Sequence, residues 1–384
     1  MIRIRTLYPT YSTGRAISHI VLSLCEHMRS ERSDVRLYFC ASDPDGRRSF
    51  TSDAVPDLLR RAAYRLDPTT STIRRFTEFS FRRSLGTADV AWIWPDVTPR
   101  TYQAARDAGA VVVGERVNTH RLTSRRILDA AYRRLGLPPT HGITERAARE
   151  ETQKLLLCDW VFSPSPHVTR SLEDAGIPAD RVLPSSYGWD PERLARDGPG
   201  LPPTDGLSAL FVGRGCFRKG VDLLLRAWAA ASVPGRLAIV GRLDEEVGTH
   251  CADLLARPDV AQLPYRDIVG PIYRSADVFV FPSLEEGSPL VLYEAMASGL
   301  PVLASPMAAG EILRDGVEGI VLDPLDQDAW VAALRRLAKD PDLRRRMGRS
   351  ARERAADFTW QRVGRRRLAM LQEALTRRGA GSFS

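Results

Sequence analysis

Short apolar runs alternate with longer amphipathic stretches along the whole chain. In the first half the runs fall at Ile2–Leu7, Arg36–Cys40, Val90–Trp94, Ala110–Val113 and Trp160–Ser163. In the second half they recur at Ala209–Val212, Leu237–Val240, Val278–Phe281 and Val302–Ala304. Runs this short, rich in β-branched and aromatic residues, are strand signals. Between them, stretches such as Ala16–Met28 and Val221–Ala231 carry apolar residues at helical spacing. Short buried strands separated by helices predict parallel sheets covered on both faces. In such sheets ligands bind beyond the carboxyl ends of the strands, so the loops there are where chemistry is expected.

One stretch breaks the alternation. Residues 197–206, Asp-Gly-Pro-Gly-Leu-Pro-Pro-Thr-Asp-Gly, interrupt helix and strand alike and lie near the middle of the chain. They predict a boundary between halves of similar size, with a first domain over residues 1–190, a linker over 191–206 and a second domain from 207. No internal repeat is evident.

Composition narrows the class. Hydrophobic residues make up 43% of 384, enough for real cores, which excludes disorder as the overall state. No apolar run approaches the ~20 residues of a membrane-spanning helix. The N-terminus lacks the apolar core of a secretory signal, so a soluble, cytoplasmic protein is expected. Five scattered cysteines without ligand spacing fit a reducing compartment and argue against disulfides or a zinc site. The formal charge of +8 invites a nucleic-acid partner. Yet only Lys154, Lys219 and Lys339 are lysines, and the arginines interleave with acids, as on solvated helix faces. No nucleic acid is therefore expected. The triplets Asp43-Pro44-Asp45, Asp326-Gln327-Asp328 and Asp340-Pro341-Asp342 follow no convincing strand, and no metal site is assigned.

Loops after strands carry the candidate chemistry. After Val212 the chain reads Gly213-Arg214-Gly215-Cys216-Phe217-Arg218-Lys219-Gly220 and enters a helix. Arg214 at a strand end and Lys219 near a helix start suit an anion such as a diphosphate. After Phe281 it reads Pro282-Ser283-Leu284-Glu285-Glu286-Gly287-Ser288-Pro289-Leu290, and a helix runs on to Gly299. Ser288 is expected to cap that helix, with Pro289 at its first position. Glu286 in the loop and Glu294 in the second turn reach different parts of one ligand. A carboxylate accepts hydrogen bonds from vicinal hydroxyls, which sugars and ribose present. Glu285 reads as a surface acid.

These residues resemble a family. The run from Glu286-Gly287 through Glu294-Ala295-Met296-Ala297-Ser298-Gly299-Leu300-Pro301-Val302 is similar to the glutamate–seven–glutamate signature of retaining nucleotide-sugar glycosyltransferases of family 4. The stretch Val212 to Gly220 resembles that family's phosphate-binding loop, and Tyr273-Arg274-Ser275-Ala276-Asp277, running on through the strand to Pro282-Ser283, its lead-in strand. Residues 182–190 resemble its interdomain segment, and Phe358-Thr359-Trp360 the start of its last helix. The resemblance is dense over roughly residues 160–305 and thin elsewhere. It implies an α/β, GT-B architecture of two Rossmann-like α/β/α domains facing across a cleft. The second domain would then cover 207–357, and residues 358–384 would cross back to the first.

The resemblance also implies roles. Arg214 and Lys219 would neutralise the leaving diphosphate, Glu286 would contact the transferred sugar, and Glu294 would hold the ribose. Backbone N–H groups of Gly287, Ser288 and Leu290 would face sugar or phosphate, whereas Pro289 has none to offer. In the first half, Thr13 and Gly14 stand where the family brings backbone to the diphosphate, with one glycine in place of a pair. His120 stands near a family histidine that contacts donor or acceptor. Asn118 is a candidate to touch an acceptor, and Trp94 could stack on an acceptor sugar, although core packing is the more usual role of such a residue. The basic, aromatic segment from Ile73 to Arg83 can rest on an anionic membrane or be an ordinary helix.

The function expected is transfer of a sugar, with retention and without a cofactor or metal, in carbohydrate biosynthesis. The donor would be a nucleoside-diphosphate sugar, UDP or GDP first. The acceptor would be a hydroxyl of a glycan, a lipid-linked molecule or a small molecule. A nucleotide-sugar epimerase of the same fold and a catalytically silent, sugar-nucleotide-binding subunit are the alternatives.

Overall fold

The computed structural model describes residues 1–12, 16–43, 46–55 and 71–381, with side chains to 377. Its first sheet contains β1 (Ile2–Leu7), β2 (Ser33–Phe39), β3 (Thr51–Asp53), β4 (Val90–Ile93), β5 (Val111–Glu115), β6 (Trp160–Ser163) and β7 (Val182–Pro184). Their order is β3-β2-β1-β4-β5-β6-β7. The second sheet contains β8 (Leu207–Val212), β9 (Gly235–Val240), β10 (Val260–Leu263), β11 (Val278–Phe281), β12 (Val302–Ala304) and β13 (Gly319–Val321). Its order is β10-β9-β8-β11-β12-β13. Every pairing between these strands is parallel.

Both sheets are doubly wound. Each starts in its middle, builds outward on one side, then returns to build the other. The strand order reverses between β1 and β4, and again between β8 and β11. At such a point neighbouring loops diverge and leave a crevice beyond the strand ends. The central strands are apolar on both faces because helices cover both faces. Val278, Phe279, Val280 and Phe281 of β11 are all fully buried, and Phe281 stacks on Phe211 of β8 at 5.3 Å between ring centroids.

The strands outside the predicted runs are short and carry a weaker pattern. Thr51–Asp53 is half-buried throughout, and Val260–Leu263 and Gly319–Val321 are largely so. Three of these elements end their sheets, where a strand needs no continuous apolar run. Tyr273 and Arg274 end the helix Gly270–Arg274, which leads into β11 at Val278, where the apolar run placed it. Two of the Asp-x-Asp triplets prove to be helix caps. Asp326 accepts from the N–H of Ala329 and Asp340 from that of Leu343.

The units are stitched where the chain crosses between them. Residues 196–206 run without regular structure, after a short helix Pro191–Ala195. The last helix, Trp360–Gly381, packs against Ala16–His27 under the first sheet. Its Arg367 is fully buried and donates to both oxygens of Glu115, at 3.0 and 2.8 Å. The same guanidinium donates to the Ser186 carbonyl at 3.1 Å and lies 4.7 Å from the Phe162 ring centroid. Tyr187 donates to Glu115 and to the Arg116 carbonyl, both at 3.2 Å. Among the described residues no helix is long and apolar enough to cross a membrane. On the helix Ser71–Arg83, Ile73 and Phe81 turn inward while Phe76 and Phe79 stay about half exposed.

His19 meets Trp360 edge to face, with centroids 5.8 Å apart. Burial, reinforced by the nearby Arg193 cation, pushes its pKa down to about 4. An unfolded histidine takes its proton near pH 6.5, so between pH 6.5 and 4 the unfolded chain binds a proton that folded His19 refuses. Stability is therefore full above that window and falls as the pH drops through it. His120 and His167 are shifted the same way, chiefly by burial. His19→Gln is expected to flatten part of this slope in equilibrium denaturation across the window. An unchanged slope would show that the His19–Trp360 contact does not form.

Candidate active site

Loops after β8 and β11 meet at the reversal point of the second sheet. The first passes through a 3₁₀ turn, Phe217–Lys219, to Gly220 and the helix Val221–Ala231. Gly220 has φ of +68°, and a Cβ there would lie 2.2 Å from the Pro282 carbonyl oxygen. The two loops thus touch backbone to backbone, which a side chain at Gly220 would forbid. Their charged side chains converge as a result. Lys219 forms an ion pair with Glu286, and Ser283 donates to the same Glu286 oxygen at 2.9 Å. Arg218 donates to the Glu285 carbonyl oxygen at 2.9 Å and stands 3.8 Å from the Glu286 carboxylate. The Lys219 ammonium also lies 5.2 Å from the Phe281 ring centroid. Burial would push the Glu286 carboxyl up, but Lys219 and Arg218 outweigh it and hold the group below the usual carboxylate range. Two cations and two carboxylates, Arg218, Lys219, Glu285 and Glu286, make a charge-balanced cluster.

Of the expected cations, only Lys219 is in it. Arg214 turns away, donates to Asp244 at 2.7 Å and leaves its side chain 67% exposed. Arg218 takes the place beside Lys219. Glu294, in the second turn of the helix Leu290–Ala297, is buried and already engaged. Arg193 of the short interdomain helix donates to one of its oxygens at 2.7 Å and Tyr273 to the other at 3.0 Å. Burial raises the Glu294 carboxyl above its ordinary range, and Arg193 opposes that shift. Ser288 does not cap the helix. Its hydroxyl bonds to Tyr293 Oη at 2.6 Å, and Pro289 occupies the cap position. Leu290 therefore opens the helix, with an N–H that has no partner within it.

The first unit reaches this cluster through the loop after β5. A Cβ on Gly287 would lie 1.5 Å from the Val117 carbonyl oxygen, so glycine alone permits this approach. Asn118 donates to Glu285 at 3.2 Å. Glu285 is no surface acid: it is 1% exposed and inserted into the first unit. Nearby, Glu246 accepts from Tyr132 at 2.6 Å, and Arg134 donates to Asp222 at 2.9 Å. His120, 1% exposed, is not drawn into the cluster. Its Nδ1 accepts from the Leu122 N–H and its Nε2 bonds to Thr152, so the ring holds the start of the helix Arg121–Leu135. Trp94 is fully buried against Tyr8 and offers no face to an acceptor. Thr13 and Gly14 lie outside the described residues. Among the described residues no cluster of histidine, cysteine, aspartate or glutamate is arranged to hold a metal ion.

Sequence reasoning missed Arg218, Glu285, Arg193 and Tyr273. Arg218 had a usable signal, since it adjoins Lys219 in a loop that opens a helix. Arg193 had none, because its segment carries no strand or loop pattern. Gly287→Ala is expected to cost about 1–3 kcal/mol of stability, the usual penalty of overpacking. Equilibrium denaturation checks this, and an unaltered midpoint would contradict so close an approach.

Comparison with known proteins places this geometry. Residues 206–340 match the family model described as glycosyl transferases group 1. D-inositol 3-phosphate glycosyltransferase of Thermobispora bispora is 31% identical over 268 residues, spanning 65% of this chain and 60% of that protein. The chain thus spans less than two thirds of that relative's length. Sucrose-phosphate synthase of Thermosynechococcus elongatus superposes with a TM-score of 0.71 over the whole of both chains, at 18% identity. Anabaena HepE in complex with UDP-glucose superposes with a TM-score of 0.69, over 97% of this chain and 100% of its own, at 15% identity. The fold is accordingly the two-domain α/β arrangement of GT-B structures.

Proposed function

We propose that the chain is a glycosyltransferase that moves a sugar from a nucleoside-diphosphate sugar to an acceptor hydroxyl with retention of configuration, a reading supported by the match of residues 206–340 to the glycosyl transferases group 1 model. The observation that carries this reading is the Lys219–Glu286 pair at the reversal point of the second sheet, with Glu294 eight residues further on.

The donor lies on the second unit in this reading. Its ribose takes the hydrogen bonds of Glu294, displacing Arg193. Its diphosphate meets Lys219, the N-terminus of the helix Leu290–Ala297 and an Arg214 swung in from Asp244. Glu286, relieved of Lys219, accepts from hydroxyls of the sugar. The bond between the anomeric carbon and the diphosphate oxygen breaks as charge builds on the leaving group. The acceptor oxygen attacks from the same face, and its proton passes to that departing oxygen. Fixed cations aimed at such charge are worth about 3–4 kcal/mol each.

Support for a uridine nucleotide comes from the fold neighbour whose complex contains UDP-glucose. Support for a polyol acceptor comes from the relative named for inositol 3-phosphate. Glycan and lipid-linked acceptors stay in the proposal, and with them the half-exposed Phe76 and Phe79 as a place for membrane contact.

Thermal unfolding with UDP, GDP, ADP and dTDP tests the donor site. A ligand at ~100 times its dissociation constant adds about 2.7 kcal/mol to the folded state. One nucleotide is expected to raise the melting temperature, and Glu294→Ala to abolish that rise. No shift with any nucleotide would count against transfer. Lys219→Ala is expected to lower turnover by about 100-fold or more. Near-normal turnover in that variant would remove the cation from the mechanism. Product formed without acceptor would favour an epimerase, and binding without turnover a silent subunit.

A further inference from the structure

We propose that Glu285 is a positioning residue: it carries the sugar-contacting loop of the second unit into a receptor on the first and so fixes Glu286 for transfer. The proposal rests on the transfer reading above. Its basis is the most heavily bonded carboxylate of the cleft. One Glu285 oxygen accepts from the Thr119 N–H at 3.1 Å, the Thr119 hydroxyl at 2.7 Å and the Ser124 hydroxyl at 3.0 Å. The other accepts from Asn118 at 3.2 Å and from Arg218 at 3.3 Å. Four of these five bonds come from the opposite unit.

The receptor is built before Glu285 arrives. Arg116, paired with Glu151 at 2.6 Å, donates to the Thr119 carbonyl at 2.7 Å. His120 caps the helix Arg121–Leu135, and Ser171 holds the His120 N–H at 2.9 Å. The peptide N–H and two hydroxyls therefore converge on one point at a helix start, where a carboxylate is favoured. His120, expected to touch substrate, serves here to hold Thr119.

What the contact does follows from adjacency. Glu286 is the next residue, and Gly287 after it seats against Val117. With Glu285 held, the loop has little freedom between its anchor and the helix Leu290–Ala297. A misplacement of about 1 Å in such a group costs about 100-fold in rate. In the proposed reading the ribose and diphosphate, by contrast, meet Glu294, Lys219 and the start of the helix Leu290–Ala297, all on the second unit. Loss of Glu285 should thus strike turnover and spare donor affinity.

The experiment pairs kinetics with hydrogen exchange on the full chain. In Glu285→Ala, kcat is expected to fall about 100-fold with the donor KM within about threefold. The Thr119 amide, and peptides over residues 117–124 and 282–289, should exchange about tenfold faster or more, with the second sheet unchanged. Thr119→Val approaches the contact from the other side and should give a weaker form of the same split, about tenfold in kcat. Unchanged Thr119 exchange overturns the proposal, and so does unchanged turnover. Faster exchange throughout the second sheet overturns it too, since Glu285 would then be a general stabiliser. A wild-type chain that binds none of the nucleoside diphosphates sinks the transfer reading itself, a result told apart by the Thr119 amide still responding to Glu285→Ala.

Discussion

The buried pair of Arg367 and Glu115 is the constraint on which the geometry of the cleft depends. It joins the last helix to the end of β5, and Ser186 and Tyr187 of the crossing segment bind the same two groups. Three separate lengths of chain are thereby held at one point between the units. Losing one partner of a buried ion pair leaves an uncompensated charge that typically costs about 3–5 kcal/mol. Here Trp92 and Tyr187 complete the carboxylate; the guanidinium, whose Nε has no hydrogen-bond partner, is flanked by the Phe162 and Tyr187 rings. From this point two paths lead to the candidate site. One runs along β5 through Arg116 to Val117 and Thr119, which face Gly287 and Glu285. The other runs from the Tyr187 N–H to Tyr293 at 3.3 Å and on to Ser288. Residues 285–288 of the loop are thus referenced by two routes to one buried charge pair.

That arrangement explains why the approach of the two units can be so close. Gly287 and Val117 touch through backbone atoms, a contact with no tolerance for slippage. Along the helix Arg121–Leu135, Ser124, Tyr132 and Arg134 each meet an acid of the second unit: Glu285, Glu246 and Asp222. A single helix of the first unit therefore reads a row of carboxylates on the second. The first unit is then part of the catalytic surface in the proposed reaction, although most of the recognisable chemistry lies on the second.

Much of this was legible in the chain, for identifiable reasons. β6, β11 and β12 fall where the apolar runs placed them, because strands buried on both faces are rich in apolar residues; β1 falls there too, although Arg3, Arg5 and Thr6 interrupt its apolar residues. β3, β10 and β13 were not legible, since an edge strand is satisfied by one neighbour and one covered face. Lys219, Glu286 and Glu294 were nominated by spacing around a strand end and a helix, and the fold brings their loops and helix together. Glu285 escaped because its partners lie about 160 residues away, and no local pattern announces a contact of that span. Trp94 could be read as an acceptor platform or as a core residue, and the packed structure makes it a core residue, enclosed by Tyr8 and the first-sheet core.

The candidate binding groups satisfy one another within the chain. Glu286 has Lys219, Glu294 has Arg193 and Tyr273, and Arg214 has Asp244. Neither Glu286 nor Glu294 could stay buried without a partner at acceptable cost. Donor binding in the proposed reaction is therefore an exchange: hydroxyls replace Arg193 on Glu294, a diphosphate replaces Glu286 on Lys219, and the cations released are free to face phosphate. An exchange of this kind gains little from raw charge, because three internal ion pairs are broken while the diphosphate makes new ones with Lys219 and Arg214. It gains from geometry, since only a ligand presenting ribose, diphosphate and sugar at the right separations can make all the replacements at once. Specificity for a whole nucleotide sugar then comes from the requirement that every internal pair be replaced together, and Arg193, invisible to sequence patterning, becomes as much a part of that requirement as the glutamate it holds.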